Sequence, residues 1–287
     1  MCELFAMSAR HPTTVSLSLE EFSRHGGLSG PHKDGWGIGW YEEGDIRLVK
    51  ERDPAASSAC VRFIQTNPFS SSLVISHIRK ATQGSVASRN CQPFVRELGG
   101  AWHCFAHNGD LKGIAVDRGF RAEGFRPVGE TDSEQAFCAL MDMLRPLWSS
   151  GWMPPIDERR QVVARFAAAL REFGPANFLY SDGDALFAHA DRRRQSDGSI
   201  RAPGMWRLAR RCPAGGELAA DGLRIASEDG EQEVCLVASV PLTAEGWVAL
   251  AEGELLVARQ GRIEVERERS HADRGVLSTY PLLKARP

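Results

Sequence analysis

Two amphipathic stretches stand side by side near the middle of this chain, with strand-like segments before and after them. That order limits the fold more than any other feature. In TDSEQAFCALMDMLRPL, Phe137, Leu140, Met141 and Leu144 recur at the i, i+3, i+4, i+7 spacing of one helix face. Thr131 and Glu134 have the spacing of a capping box, and Pro146 is expected to end the helix. The second stretch starts near Asp157, carries Val163, Phe166, Ala167 and Leu170 on one face, and is expected to stop at Gly174-Pro175. Strands, a helix pair, then strands is the order of an α+β protein, because βαβ units would interleave the two.

The flanking segments supply the strands. CELFAMS is short and apolar, and GWGIGWYEEGDIRLVK reads as two strands around an E-G-D turn. SSLVISHIRKAT alternates, with Leu73, Ile75, His77 and Arg79 on one face and Val74, Ser76, Ile78 and Lys80 on the other. GAWHCFAHNGDL reads as a strand closed by an Asn108-Gly109 turn. NFLYSDGDALFAHA reads as a hairpin around Asp182-Gly183, and GMWRLARR and EVCLVASVPL as late strands. LSLEEFSRHGG and SSACVRFIQTNP read as short helices, and DRRRQSDGSIRAPG as a charged loop. One domain over residues 2–260 is expected, with a peripheral tail at 261–287.

Composition excludes several classes. A formal net charge of −2 gives no global attraction to nucleic acid or an anionic membrane surface. No segment approaches the roughly 20 apolar residues of a membrane span. Seven scattered cysteines without a CxxC pair read as reduced thiols, which places the protein in the cytoplasm. His103, Cys104 and His107 lack a matching second ligand pair, so no metal and no cofactor are expected.

Five short stretches could carry chemistry. Removal of Met1 would leave Cys2 with its thiol beside a free α-amine of pKa about 7.7–8.0, a base tethered to its own nucleophile. Taken alone, Cys2 is better read as a small buried residue near a chain end. In FAHNGDL, the Asn108 carboxamide and the Gly109 N–H could face a developing oxyanion, although Asn-Gly is also a common hairpin turn. In HIRKATQG, Arg79 could grip a carboxylate with its fork and Thr82 offers a hydroxyl; the bland alternative is a strand end emerging into solvent. In GETDSE the capping box accounts for Thr131 and Glu134 and leaves Asp132 to receive an ammonium. Together these groups match glutamine: Arg79 for its α-carboxylate, Asp132 for its α-ammonium, and Cys2 with Asn108 and Gly109 for its side-chain amide.

Cys2, HIRKAT, NCQPF, FAHNGDL and GETDSE resemble, in order, the blocks of class II glutamine amidotransferases, which are N-terminal nucleophile (Ntn) hydrolases. GPHKDGWGIGW and FRPVGETDSEQAFC look like the stand-alone bacterial group known as YafJ-like. The resemblance implies a four-layer αββα sandwich of two antiparallel sheets. It also implies hydrolysis of glutamine to glutamate and ammonia through a γ-glutamyl thioester on Cys2. By the same resemblance Asn108 and Gly109 form the oxyanion hole, Arg79 with Thr82 beside it binds the substrate carboxylate, and Asp132 binds its amine. Gln92 departs from the pattern, standing where many relatives have His. The implied partners are a small molecule, glutamine or a γ-glutamyl compound, and a separate synthase that accepts the ammonia. Two alternatives keep the fold: a γ-glutamyl amide or peptide hydrolase with the same cysteine, and a catalytically silent binding module.

Overall fold

In the computed structural model, residues 2–13, 33–81, 83–149, 151–195, 197–212, 217–220, 223–226, 231–244 and 246–264 are described. The expected helix at Leu17–Gly27 and the tail beyond residue 264 lie outside them. In chain order the strands are β1 (Glu3–Thr13), β2 (Trp36–Glu42), β3 (Asp45–Glu51), β4 (Ser71–Ile78), β5 (Phe94–Leu98) and β6 (Ala101–Gly109). There follow β7 (Ala176–Ser181), β8 (Ala185–His189), β9 (Arg193–Arg194), β10 (Ile200–Arg201), β11 (Trp206–Cys212) and β12 (Glu217–Ala220). The last are β13 (Leu223–Ala226), β14 (Gln232–Ala238), β15 (Val248–Ala249), β16 (Leu255–Arg259) and β17 (Arg262–Ile263).

Two antiparallel sheets stack face to face. One has the strand order β15-β11-β14-β1-β4-β2-β3 and the other β17-β16-β8-β7-β6-β5. Strand alternation divides the side chains among three apolar layers. Leu4, Ala6, Leu73 and Ile75 meet Cys104, Ala106, Leu179 and Ala188 between the sheets. Phe5, Met7, Val74 and Ile78 point to the outer face of the seven-stranded sheet. There they meet Val61 of the Ala59–Thr66 helix, whose first turn is capped by Ser58. Phe105, Phe178 and Phe187 point out of the other sheet onto Phe137, Leu140, Leu144, Val163, Phe166 and Leu170 of the Asp132–Trp148 and Ile156–Leu170 helices. The α+β sandwich therefore has both sheets inside, with the helix pair on one flank. Among the described residues the short Ala59–Thr66 helix covers the other.

Several local expectations change. Asn108-Gly109 is not a turn: β6 runs through both residues, and they pair with Asn177 and Ala176. Pro146 does not end its helix, which continues to Trp148, because a proline this near the C-terminus removes only one of the last hydrogen bonds. The capping box is half-formed. Thr131 Oγ1 accepts the Glu134 N–H at 3.2 Å, but the Glu134 carboxylate turns to the Gly129 N–H at 2.7 Å and to Arg96 at 2.5 Å. The second helix ends at Leu170, four residues before Gly174. The charged loop contains the small β9–β10 hairpin. The Glu43-Gly44 turn takes positive φ at both residues, the twist-matched geometry of a two-residue hairpin.

Register brings distant segments to one end of the sandwich. β1 pairs with β4 so that Glu3 lies opposite Ile78, and β2 pairs with β4 so that Trp36 lies opposite the same residue. The residues just outside these pairs, namely Cys2, Arg79–Lys80 and Asp34–Gly35, therefore share one edge. Beyond the ladder the Arg79 N–H still donates to the Gly35 carbonyl at 2.8 Å and the Asp34 N–H to the Arg79 carbonyl at 3.2 Å.

A buried charge cluster ties the helix pair to the β7–β8 hairpin. Arg159, 2% exposed, donates to Asp182 and Asp184 at 2.7 Å each, and Arg259 reaches the second oxygen of Asp184 at 2.8 Å. Arg159→Ala would strand the fully buried Asp182 carboxylate without its countercharge. The expected loss is about 3–5 kcal/mol of unfolding free energy, measurable as a lowered urea midpoint.

Candidate active site

Cys2 is half-buried at the start of β1. Its Sγ is bracketed by the backbone of one residue: the Lys80 N–H donates to it at 3.2 Å, and the thiol faces the Lys80 carbonyl at 3.4 Å. Burial pushes the thiol pKa up. The Lys80 N–H, the positive charge of the N-terminal amine and the Arg79 guanidinium pull it part of the way back, and the Asp132 carboxylate adds to the rise. Arg79 and Asp132, 53 positions apart in sequence, thus both act electrostatically on the same sulfur.

The next residues fix its position. Leu4 N–H donates to Ser239 Oγ at 3.0 Å, and Ser239 N–H returns the bond to the Leu4 carbonyl at 2.9 Å. Asn108, buried at the end of β6, donates from Nδ2 to the Cys2 carbonyl. Behind it, the fully buried Asn177 donates to the Asn108 carbonyl at 3.2 Å and the Arg192 carbonyl at 2.8 Å, and accepts the Asp191 N–H at 2.8 Å. Arg193 in turn donates to the Ser239 carbonyl. These contacts form a closed circuit from Cys2 through Asn108, Asn177, Arg192–Arg193 and Ser239 to Leu4. Gly109 admits no side chain, since a Cβ there would stand 1.7 Å from the Pro175 carbonyl oxygen and 2.7 Å from His107 Nε2.

Gln92 explains how the oxyanion candidate is held. Its Oε1 accepts the His107 N–H at 2.6 Å and its Nε2 donates to the His107 carbonyl at 3.1 Å. The carboxamide behaves as one more residue of β5, extending the β5–β6 ladder past Phe94–Phe105 by a side chain. Gln92 can lie this close because β2 carries Gly37, where a Cβ would stand 2.3 Å from the Gln92 carbonyl oxygen. The glycine-rich strand packs against the NCQPF segment.

Arg79 is 3% exposed and already engaged. Its terminal nitrogens donate to the carbonyls of Asp34 at 3.4 Å, Gln83 at 2.9 Å, Gly84 at 3.3 Å and Ser85 at 3.1 Å. Among the described residues none of its partners is a carboxylate. The 83–85 segment it holds is tied down elsewhere: Gln83 donates to Asp110 at 2.8 Å, and Ser85 donates to Glu130 through both its N–H and its hydroxyl. Arg89 and these donors hold the Glu130 carboxyl down at about 2. Asp132 is not a free carboxylate. Oδ2 accepts the Leu111 N–H at 2.8 Å, and Oδ1 accepts the Ser133 N–H at 2.8 Å and its hydroxyl at 3.3 Å. Each carboxylate oxygen keeps accepting capacity beyond these bonds. Thr82 lies outside the described residues.

Sequence reasoning noticed Gln92 but not its clamp, and missed Asn177, Ser239 and Ser133. Each is polar and buried in an otherwise apolar setting, which only the three-dimensional contacts reveal. The His103 and His107 rings turn to different partners, Tyr180 and Ser133. Among the described residues no group of three or more His, Cys, Asp or Glu side chains could hold a metal ion, and no helix is long and apolar enough to cross a membrane.

Two stacked antiparallel sheets with a cysteine at the second position, on the edge where β1 and β4 begin and end, define the N-terminal nucleophile fold. A family model of class II glutamine amidotransferases matches residues 1–280. The chain is 36% identical over 261 residues to YafJ of Escherichia coli (strain K12), covering 88% of this chain and 96% of that protein. It is 32% identical over 282 residues to MJ1515 of Methanocaldococcus jannaschii, covering 94% and 72%. It superposes with a TM-score of 0.65 on a predicted glutamine amidotransferase from Pseudomonas aeruginosa PA01, at 32% identity over 92% of this chain and 100% of that one. A glutamine phosphoribosylpyrophosphate amidotransferase from B. subtilis shares the fold at TM-score 0.58 and 16% identity, covering 93% of this chain and 49% of that one. The chain belongs to the class II glutamine amidotransferases.

The Gln92 clamp makes a stability prediction. Gln92→Ala orphans both peptide groups of His107, which should lower the unfolding free energy by about 2–4 kcal/mol. A urea titration against the parent protein reads the change, and an unchanged midpoint would show that water replaces the clamp.

Proposed function

We propose that this protein hydrolyses the side-chain amide of glutamine to glutamate and ammonia, with Cys2 as nucleophile. The observation that carries the reading is the convergence on Cys2: the Lys80 backbone brackets its sulfur, the Asn108 carboxamide is bonded to its carbonyl, and Arg79 and Asp132 both act on its thiol. Residues 2–260 constitute the catalytic domain in this reading.

With Met1 removed, the α-amine of Cys2 accepts the thiol proton. The sulfur adds to the amide carbon, and the carbonyl oxygen takes the charge. Asn108 Nδ2 has two N–H bonds. One is spent on the Cys2 carbonyl and the other, with the Gly109 N–H, is left for the oxyanion. Because Asn108 is locked to the nucleophile's own residue, donor and sulfur cannot drift apart, which is the preorganisation that oxyanion stabilisation needs. The amine returns its proton to the leaving ammonia. Water then adds to the thioester, releasing glutamate and restoring the thiol. Asp132 pairs with the substrate ammonium. Arg79 pairs with the substrate carboxylate, which must take over part of the guanidinium now held by the 83–85 carbonyls.

Cys2→Ala should abolish glutamine hydrolysis while leaving the unfolding midpoint in place. Arg79→Ala should mainly raise KM, since its contact with substrate is made in ground and transition states alike. Glutamate and ammonia release from glutamine is the assay. Full activity in Cys2→Ala would refute the reading, and faster glutamate release from γ-glutamyl dipeptides would change the substrate class while keeping the nucleophile.

The raised thiol pKa gives a pH prediction. Only the thiolate is alkylated, and a raised pKa keeps the thiol protonated through neutrality. Inactivation by iodoacetamide should therefore quicken about tenfold per pH unit from pH 6 to 8, without a plateau below the ordinary thiol value of about 8.5. A rate already level at pH 7 would contradict the burial effect.

A further inference from the structure

His107 takes no part in the chemistry above, yet it lies between the oxyanion element and the start of the Asp132–Trp148 helix. It precedes Asn108, its ring occupies the space beside Gly109, and both its peptide groups are clamped by Gln92. It is 1% exposed, and its Nδ1 lies 2.9 Å from Ser133 Oγ. Ser133 is the second residue of the Asp132–Trp148 helix, and both its N–H and its hydroxyl reach Asp132 Oδ1. One hydroxyl thus stands between the imidazole and the carboxylate.

Stability alone does not account for this ring. Its Nε2 lies toward the Pro175 carbonyl without a hydrogen bond of full geometry. A buried ring so weakly satisfied is costly, and an apolar side chain would fill the space without that cost. Burial also pushes the imidazole pKa down, with Asp132, the Pro175 carbonyl and Asp110 opposing it, so the ring serves as a neutral polar strut. What an apolar residue could not supply is the bond to Ser133.

We propose that His107 is a positioning residue that couples the Asn108–Gly109 oxyanion element to the Asp132 carboxylate through Ser133. The inference rests on the glutamine-hydrolysis reading for what Asn108 and Asp132 do, but not for the link between them. The end of β6 and the start of the helix are separate elements, and this chain of contacts sets the spacing between the site for the substrate amine and the site for the reacting carbonyl.

His107→Ala should lower kcat and raise KM together, with kcat/KM down about 10–100-fold, the scale of a small misplacement of reacting groups. Ser133→Ala should mainly raise KM, and in the double variant should add nothing to the loss from His107→Ala. The conservative variants decide whether the role is positional. An asparagine amide reaches the place of Nδ1, while a glutamine amide reaches that of Nε2. His107→Asn should recover most of what alanine loses and His107→Gln should not, although glutamine is closer to histidine in volume. Equal rescue by both, or full additivity of the two alanine variants, would overturn the coupling. If the parent protein does not hydrolyse glutamine, the functional reading falls, and a crystal structure of Ser133→Ala then judges the link. An imidazole or Asp132 carboxylate that has moved supports it; both unmoved refutes it.

Discussion

The antiparallel register between β1 and β4 is the constraint on which the site depends. With Glu3 opposite Ile78, the first residue outside the ladder on one strand faces the first two outside it on the other. That places a sulfur beside the Lys80 peptide and brings Arg79 to the same edge. A slip of one residue would turn every side chain of β1 to the wrong face, moving Leu4 and Ala6 out of the space between the sheets and Phe5 and Met7 into it. The apolar pattern that makes the slip costly is thus also what sets the nucleophile in place.

Around this edge the protein changes its means of cohesion. The layers of the sandwich are held by apolar burial, which is strong but without direction. At the site end, buried carboxamides take over: Gln92 reads the peptide of His107, Asn177 reads that of Asn108, and Asn90 joins Ser85 to Glu130. A carboxamide offers a donor and an acceptor at fixed spacing, as a peptide does, so it can continue a strand's bonding where the backbone has turned away. Directional bonds are what a site needs whose parts come from five separate segments.

Much of this was readable from the residues. The two faces of β4 divide as the alternation required, the helix stripe of Phe137, Leu140 and Leu144 is the one that packs, and Glu43-Gly44 and Asp182-Gly183 turn where dipeptide chemistry places them. These features are local or periodic. Readings failed where a distant partner decides the outcome. Asn108-Gly109 stays extended because Asn177 and Ala176 pair with it. Glu134 abandons the capping box because Gly129 and Arg96 offer better contacts. Arg79 and Asp132 were visible as charges, but nothing in their own segments shows that the 83–85 carbonyls and the Leu111 N–H already engage them.

The circuit that begins and ends at the first strand alters how a chain terminus behaves. Terminal residues are ordinarily the least ordered of a domain, since one end of each is tethered to nothing. Here the second residue is held by Asn108 at its carbonyl and, two positions on, by the reciprocal bonds of Leu4 and Ser239. In a ring of contacts no single member can rotate unless its neighbours yield as well. The start of β1 thereby gains the rigidity of an interior strand and becomes a fixed point from which the rest of the site can be measured.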